Sequence, residues 1–319
     1  MRIVDGMTLA SAQLQSLALS HGAAYTRVEG EAATIAALRG AEALWIMPSA
    51  YTPALRAALD RDGSSVRWLQ VASMGYDSVE ELGVPAGVTV TNAGDAYAGI
   101  AAEHAIALIL TALREIPISV RDQANEYWSA PQRSRVASLI GRTVGIFGYG
   151  HLGREIAARL APFGCRIVAI APDASANSPI VEAYTLDRRH EGFSGCDILV
   201  VAAPLTRETR GVIDAAAFRA LPSHALVVNI ARGPIVDTVA LQHALEHDII
   251  GGAALDVTDP EPLPPGDMLW QHERVIITPH VGGFARDIMA DRLASVVARN
   301  LAAFLNGEPL PTRVEIHRV

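Results

Sequence analysis

The stretch Val144-Gly145-Ile146-Phe147-Gly148-Tyr149-Gly150-His151-Leu152-Gly153 constrains this chain more than any other. An apolar run suited to a strand meets glycines at Gly148, Gly150 and Gly153, and helix-forming residues 154–160 follow. That spacing serves a turn that holds a pyrophosphate. The first glycine permits the bend, the second lets phosphate approach the backbone, and the third lets the helix pack on the strand with its N-terminus toward the negative charge. A glycine-rich turn alone is weak evidence, because such turns are common; the strand before and the helix after supply the context the motif needs. Its place in mid-chain implies that a further unit precedes it.

Composition sets the outer limits. The 319 residues suffice for one large or two ordinary domains. With 50% hydrophobic and 19% charged residues, a sizeable core can be buried. A formal net charge of −8 argues against a nucleic-acid or anionic-membrane partner. No apolar run is long enough to span a membrane, and the amino terminus reads as a first strand without a signal-peptide pattern. Cys165 and Cys196 are too few for a disulfide framework and read as buried thiols in a reducing cytoplasm. The sequence contains no lysine. That excludes Schiff-base chemistry, a P-loop and the usual pyridoxal phosphate site, and leaves acid–base work to histidine or carboxylates.

The first ninety residues alternate strands, at 2–4, 43–47, 66–71 and 88–91, with helical stretches at 8–21, 32–39 and 52–61. Runs apolar throughout suit a parallel sheet buried on both faces. A long alanine- and leucine-rich helix spans 100–116 and stops near Pro117; apolar on several faces, it is expected at a boundary between domains or subunits. Strands at 143–147, 167–170, 198–201, 225–230, 252–255 and 275–278, with helices between most of them, spell a doubly wound sheet. A last helix covers 287–305.

In open α/β sheets, ligands bind beyond the carboxyl ends of the strands. Three residues there carry chemistry: Arg232 after the strand ending at Ile230, Glu261 in the loop after Asp256, and His280 in Thr278-Pro279-His280-Val281-Gly282-Gly283. Reduction of a 2-oxo acid needs a fixed cation for the carboxylate, which an arginine fork supplies. It also needs a proton donor working near neutrality, which is histidine, and a carboxylate to fix the ring. Each has a plainer reading, as an ordinary strand-to-helix turn, a solvated loop charge and a turn histidine. Together, at strand ends of one sheet, chemistry is the better reading.

With those residues in place, the chain resembles the D-isomer-specific 2-hydroxyacid dehydrogenases, of the glyoxylate/hydroxypyruvate reductase-like branch without a regulatory domain. The glycine turn, Pro204-Leu205-Thr206, residues 229–237, 254–264 and 278–283 look like that family's successive motifs; Ala72-Ser73-Met74-Gly75-Tyr76-Asp77 and Thr91-Asn92-Ala93 look like its substrate-domain motifs. The likeness covers almost the whole chain. It implies an α/β fold: a Rossmann doubly wound cofactor domain, residues 96–284 with a dimerisation segment at 100–140, inserted into a smaller flavodoxin-like α/β substrate domain, residues 1–95 plus 285–319, with the active site in the cleft. The implied catalytic residues are Arg232, Glu261 and His280. Cofactor contacts are implied at Gly148, Gly150, His151, Leu152, Gly153, Pro204, Thr209, Ile230, Ala231, Arg232, His280, Gly282 and Gly283, with Asp256 near the nicotinamide carboxamide. Met74 and Gly75 would bind the substrate carboxylate through backbone N–H groups. The expected partners are a small 2-oxo or 2-hydroxy acid and a second copy of the chain.

The match departs from the family in places. Where NAD-dependent members place an acidic residue to hold the adenosine ribose, this chain has Ala171, with Asp173 two residues on. Asp173 is either the ribose ligand or a turn aspartate after Pro172. With no arginine close by to receive a 2′-phosphate, NAD is favoured and NADP is the alternative. The family's phosphate-binding arginines fall on Pro48 and Val71, which disfavours phosphoglycerate. Tyr51, Met74, Tyr76 and Tyr97 are either pocket lining or packing, with packing favoured for Tyr76 and Tyr97. His243 and His247, four apart on a helix, do not form a metalloprotease pattern and read as surface residues, so no metal is expected. Asp95 and Glu103 read as capping or dipole residues at a helix start. The alternative function is an NAD(H)-sensing, corepressor-like module that keeps the fold. A homocysteine-releasing hydrolase of the same architecture would need the absent lysine, and formate dehydrogenase would need a different site and longer loops.

Overall fold

The computed structural model describes residues 1–61, 65–129, 135–173, 175, 177 and 179–316. The chain forms two compact units, Met1–Tyr97 with Phe284–Val319, and Ala98–Gly283. The first begins with β1 (Arg2–Asp5), α1 (Ser11–Ser20), β2 (Ala24–Arg27), α2 (Glu31–Ala37), β3 (Ala43–Ile46), α3 (Pro53–Leu59), β4 (Trp68–Val71), α4 (Asp77–Leu82) and β5 (Thr89–Thr91).

The second unit runs α5 (Ala98–Leu113), α6 (Ile116–Ala124), β6 (Thr143–Phe147), α7 (His151–Leu160), β7 (Arg166–Ile170), β8 (Ile180–Tyr184), α8 (Arg189–Phe193), β9 (Ile198–Val201), α9 (Ala215–Ala220), β10 (Leu226–Asn229), α10 (Thr238–Glu246), β11 (Gly252–Leu255) and β12 (Val275–Ile277). Its seven strands lie in the order β12-β11-β10-β9-β6-β7-β8, all parallel. The order reverses beside β6, so a topological switch point opens between β6 and β9, where such sheets bind ligands. Side chains alternate between the faces. Phe147, Ile170, Leu199, Val201, Val227 and Leu255 pack with Phe193 and Phe218 on one side. Val144, Ile146, Ile167, Val200 and Val228 pack with α5 and α7 residues such as Leu108, Ile109 and Ile156 on the other. Burial on both faces is why these strands read as unbroken apolar runs; each such side chain contributes roughly 1.5–3 kcal/mol on leaving water.

The chain then returns to the first unit through α11 (Met289–Asn306) and β13 (Arg313–Val314). That sheet is ordered β13-β5-β4-β3-β1-β2, parallel except for the antiparallel β13–β5 pair. Its first five strands follow the flavodoxin-like order 2-1-3-4-5. Val4, Leu44, Ile46, Leu69 and Val71 fill one face. On the other, Trp45 meets Trp68 edge-on at 5.7 Å, and Trp68 stacks on Phe304 of α11 at 5.4 Å. The C-terminal helix is thereby part of the first unit's core.

The α/β class and doubly wound sheet are as the sequence implied. Three strands escaped it: β2, β8 and β13 are edge strands with mostly half-exposed residues, so they lack the apolar signature. The long helix also needs correction. It ends at Leu113, Glu115 takes a left-handed φ of 54°, and Pro117 opens α6 rather than stopping α5. Proline suits a first helical turn, where its missing N–H has no partner to lose. Much of the apolar surface of α5 is covered inside its own unit, by α7 and by β10 and β11.

Candidate active site

The strand order brings the sequence-predicted residues to one edge of the seven-stranded sheet. Moving from β12 to β7, the carboxyl ends lead into His280, then Asp256 with Glu261, then Arg232, Pro204, Gly148 and finally Asp173.

The three glycines of the turn answer three different demands. Gly148 adopts φ 97°, and a Cβ there would lie 2.4 Å from the Ala203 backbone of the loop after β9. A Cβ at Gly153 would lie 2.2 Å from the Gly148 carbonyl, so α7 closes directly on the turn. Gly150 is different: a Cβ there meets nothing within 4 Å. No described residue crowds that place, whereas a pyrophosphate lying against the backbone would need it clear. The helical ladder of α7 starts with the Arg154 N–H donating to the Gly150 carbonyl at 3.1 Å. That leaves the N–H groups of His151, Leu152 and Gly153 ahead of the ladder, free for an anion. These residues fit a dinucleotide.

At the other end, His280 and Glu261 meet: Nδ1 of His280 is 2.6 Å from Oε1 of Glu261. His280 itself sits at φ 51°, a left-handed conformation uncommon for a residue with a side chain. Its N–H donates to the carbonyl of Asp256 at 2.8 Å. Asp256 is buried, and its carboxylate collects donors: the Thr278 hydroxyl at 2.6 Å, Val281 N–H at 2.9 Å and Gly282 N–H at 2.8 Å. His104, from α5, adds Nε2 at 3.2 Å. Burial alone would push the Asp256 carboxyl up, but these donors outweigh it and hold the group at about 2. His104 was not singled out from the sequence. Its partner Thr278 is 174 residues away, and no local pattern announces the contact.

Arg232 extends from the loop after β10 and is half-buried; its Nη1 donates to the Ala231 carbonyl at 2.7 Å. Asn229 shapes that loop, accepting from Ala231 N–H and donating to the Arg232 carbonyl. A Cβ at Gly233 would strike the Thr258 carbonyl at 1.9 Å, so the Arg232 and Glu261 loops pack closely. Ile230 and Ala231 are buried at the strand end. Gly282 and Gly283 close the loop behind His280. Thr209 spends its hydroxyl inside its own turn, donating to the Pro204 carbonyl at 2.7 Å, so it shapes the loop that presents Pro204. Ala171 is buried where β7 ends, and Asp173 follows in an exposed turn.

In the first unit, Met74 and Gly75 lie in the loop after β4, where Asn92 Nδ2 donates to the Met74 carbonyl at 2.8 Å and Ser73 Oγ donates to that of Gly75. The pocket reading of Tyr51 is corrected: its ring is buried in the first unit's core, and its hydroxyl donates to the Gly83 carbonyl at 2.7 Å. Tyr97 likewise packs, donating to the Ala72 carbonyl. His243 and His247 stack ring on ring at 4.0 Å. Among the described residues, no group of three or more His, Cys, Asp or Glu could hold a metal. Asp95 pairs with Arg299, and Glu103 lies near Arg159. Among the described residues, no helix is long and apolar enough to cross a membrane.

A doubly wound sheet with this turn and these strand-end residues defines a nicotinamide-nucleotide-dependent dehydrogenase. Comparison with known proteins gives the family. Residues 106–282 match the D-isomer specific 2-hydroxyacid dehydrogenase NAD binding domain. A glyoxylate reductase of Pyrococcus furiosus is 34% identical over 252 residues, 76% of this chain and 74% of that one. A D-3-phosphoglycerate dehydrogenase of Mycobacterium bovis is 34% identical over 249 residues, 77% of this chain but 46% of the relative. The crystal structure of a D-isomer specific 2-hydroxyacid dehydrogenase from Xanthobacter autotrophicus Py2, in complex with NADPH and MES, matches with a TM-score of 0.85 at 25% identity over 98% of both chains. The chain belongs to the D-isomer specific 2-hydroxyacid dehydrogenase family. It is an NAD(P)-dependent oxidoreductase that interconverts a 2-oxo acid and a 2-hydroxy acid, which disfavours the reading as a sensing module.

Proposed function

We propose that this enzyme reduces a small 2-oxo acid of the glyoxylate or hydroxypyruvate kind to the D-2-hydroxy acid, with His280 as the proton donor. The observation that carries this reading is the His280–Glu261 pair at 2.6 Å, on the sheet edge that also presents the glycine turn. Glu261 holds Nδ1, which directs Nε2 to the substrate as the atom that gives up the proton. Arg232 binds the carboxylate and polarises the carbonyl through its planar fork. The backbone N–H groups of Met74 and Gly75 also bind the substrate carboxylate. A bound nicotinamide dinucleotide supplies the hydride. Gly148, Gly150, His151, Leu152 and Gly153 hold its pyrophosphate, and Pro204, Thr209, Ile230, Ala231, Asp256, Gly282 and Gly283 shape its bed. NAD is the preferred form, with Asp173 on the ribose hydroxyls.

The corresponding domain roles are substrate binding for residues 1–95 with 285–319, and dinucleotide binding for 96–284. Pro48 and the buried Val71 offer no cation to a phosphate, which favours an unphosphorylated substrate despite the likeness to a phosphoglycerate dehydrogenase. A homodimer formed through residues 100–140 fits the exposed Ile116, Val120, Tyr127 and Trp128, the last 87% exposed in the single chain. A cytoplasmic location fits the free thiols Cys165 and Cys196.

The test is a kinetic panel crossing glyoxylate, hydroxypyruvate, pyruvate and bulkier 2-oxo acids with NADH and NADPH. Turnover of the smallest acids, with the D-isomer as product wherever the product is chiral, is expected. A chain that turns over none of them does not have this function.

A further inference from the structure

We infer that His104 is a positioning residue for His280, acting through Thr278 and Asp256. The inference rests on the reading of His280 as proton donor given above. Proton counting fixes the direction of the contacts. Thr278 has one hydroxyl hydrogen, and it is donated to Asp256 Oδ1 at 2.6 Å. His104 Nε2 lies 3.0 Å from the same hydroxyl oxygen and 3.2 Å from Asp256 Oδ1. Neither oxygen has a hydrogen left to offer, so Nε2 of His104 carries one and donates it.

Asp256 in turn grips the chain on both sides of His280. Its side chain takes the Thr278 hydroxyl before it and the Val281 and Gly282 N–H groups after it, while its carbonyl takes the His280 N–H. The left-handed backbone at His280 is strained for a residue with a side chain and persists only where the surroundings over-determine it. This grip does so. Asp256 and Thr278 themselves stand at loop entrances, just past the last residues of β11 and β12. His104 comes from the second turn of α5, a helix seated on α7, and so ties the pair to a rigid element. Gly282 packs directly against this pair: a Cβ there would lie 2.8 Å from Asp256 Oδ2 and 3.2 Å from His104 Cδ2. The His280–Glu261 pair handles the proton, and the half-buried His104 with the buried Asp256 sets where that histidine stands.

The experiment compares H104F, H104Q, T278V and H104F/T278V in the full chain, by steady-state kinetics with the best 2-oxo acid and by the crystal structure of H104F. H104F is expected to lower kcat about tenfold or more while KM for the 2-oxo acid stays within about threefold, because Arg232 lies outside the relay. H104Q keeps a donor and should recover kcat to within about threefold of the parent. The double variant should be no slower than the slower single variant, because both break one relay. In crystals of H104F, His280 should leave its left-handed conformation or separate from Glu261. If H104F does not fold, T278V gives the same reading, with kcat falling and KM held. Unchanged kcat in H104F, losses that multiply in the double variant, or an H104F structure with the His280 geometry intact would overturn the positioning role, whatever the chain catalyses. A parent enzyme with no turnover on the panel overturns the functional reading instead, and leaves the crystal comparison to decide the relay.

Discussion

Nδ1 of His280 lies 2.6 Å from Oε1 of Glu261, with 44% and 42% of the two side chains exposed. A pair this open contributes about 0–1 kcal/mol to stability. Yet the backbone beneath it is held left-handed at φ 51° by contacts to Asp256. A strained residue in a pair worth little to folding serves orientation, which is what a proton donor needs.

Replacing His280 by Asn should lower kcat by about a hundredfold to ten-thousandfold, with the coenzyme dissociation constant within about threefold of the parent. Replacing Glu261 by Gln should cost less, about ten- to a hundredfold in kcat, because the amide still contacts the ring but loses the charge. Stopped-flow turnover with fluorescence titration of NADH separates the two effects. Equal losses in turnover and in coenzyme binding would remove His280 from the proton step.

Asp256 gives a pH-dependent stability signature. Its folded-state pKa of about 2 lies below the ordinary 3.8, so its contribution is complete above about pH 4 and is lost as pH falls from there toward 2. The shift corresponds to about 2 kcal/mol. D256N should therefore unfold in urea with about 2 kcal/mol less stability than the parent at pH 7, and the difference should shrink steadily below pH 4. A difference that is constant from pH 7 to pH 2.5 would contradict the charged network.

The glycine turn separates folding from binding. G153A puts a Cβ 2.2 Å from the Gly148 carbonyl and should lower the melting temperature by several degrees or abolish folding. G150A meets nothing within 4 Å and should melt with the parent, while NADH binding weakens about tenfold or more. Calorimetry and coenzyme titration on both variants check the contrast; G150A with unaltered NADH affinity would remove the pyrophosphate from that turn.

Asp173 tests the cofactor choice. D173A should raise KM for NADH by about threefold to tenfold through loss of charge-assisted bonds to the ribose, and should leave KM for NADPH unchanged or lower. Equal effects on both coenzymes would make Asp173 a turn residue only.

Local pattern carried the reading of the sequence as far as burial on both faces of a strand reaches. Strands such as β9 and β11 are apolar at every position, and helix-spaced segments lie between them, so the doubly wound unit was legible residue by residue. The edge strands β2 and β8 were not, because half of a strand's surroundings there is solvent and the pattern dissolves. Pro117 misled for a related reason: proline marks a helix boundary, but only the turn at Glu115 decides whether a helix ends or begins there.

The sequence by itself determined the fold class, the glycine turn, and the chemistry available: arginine, glutamate and histidine at strand ends, in a chain without lysine. These depend on neighbours within a few residues, or on residue types alone. Tertiary structure decided the rest. It showed that a Cβ at Gly150, unlike one at Gly148 or Gly153, meets no described residue within 4 Å. It moved Tyr51 into the core, and it set His104 against Thr278 and Asp256. A contact spanning 174 residues leaves no periodic trace, since its energy depends on where two elements come to rest rather than on what either one is made of.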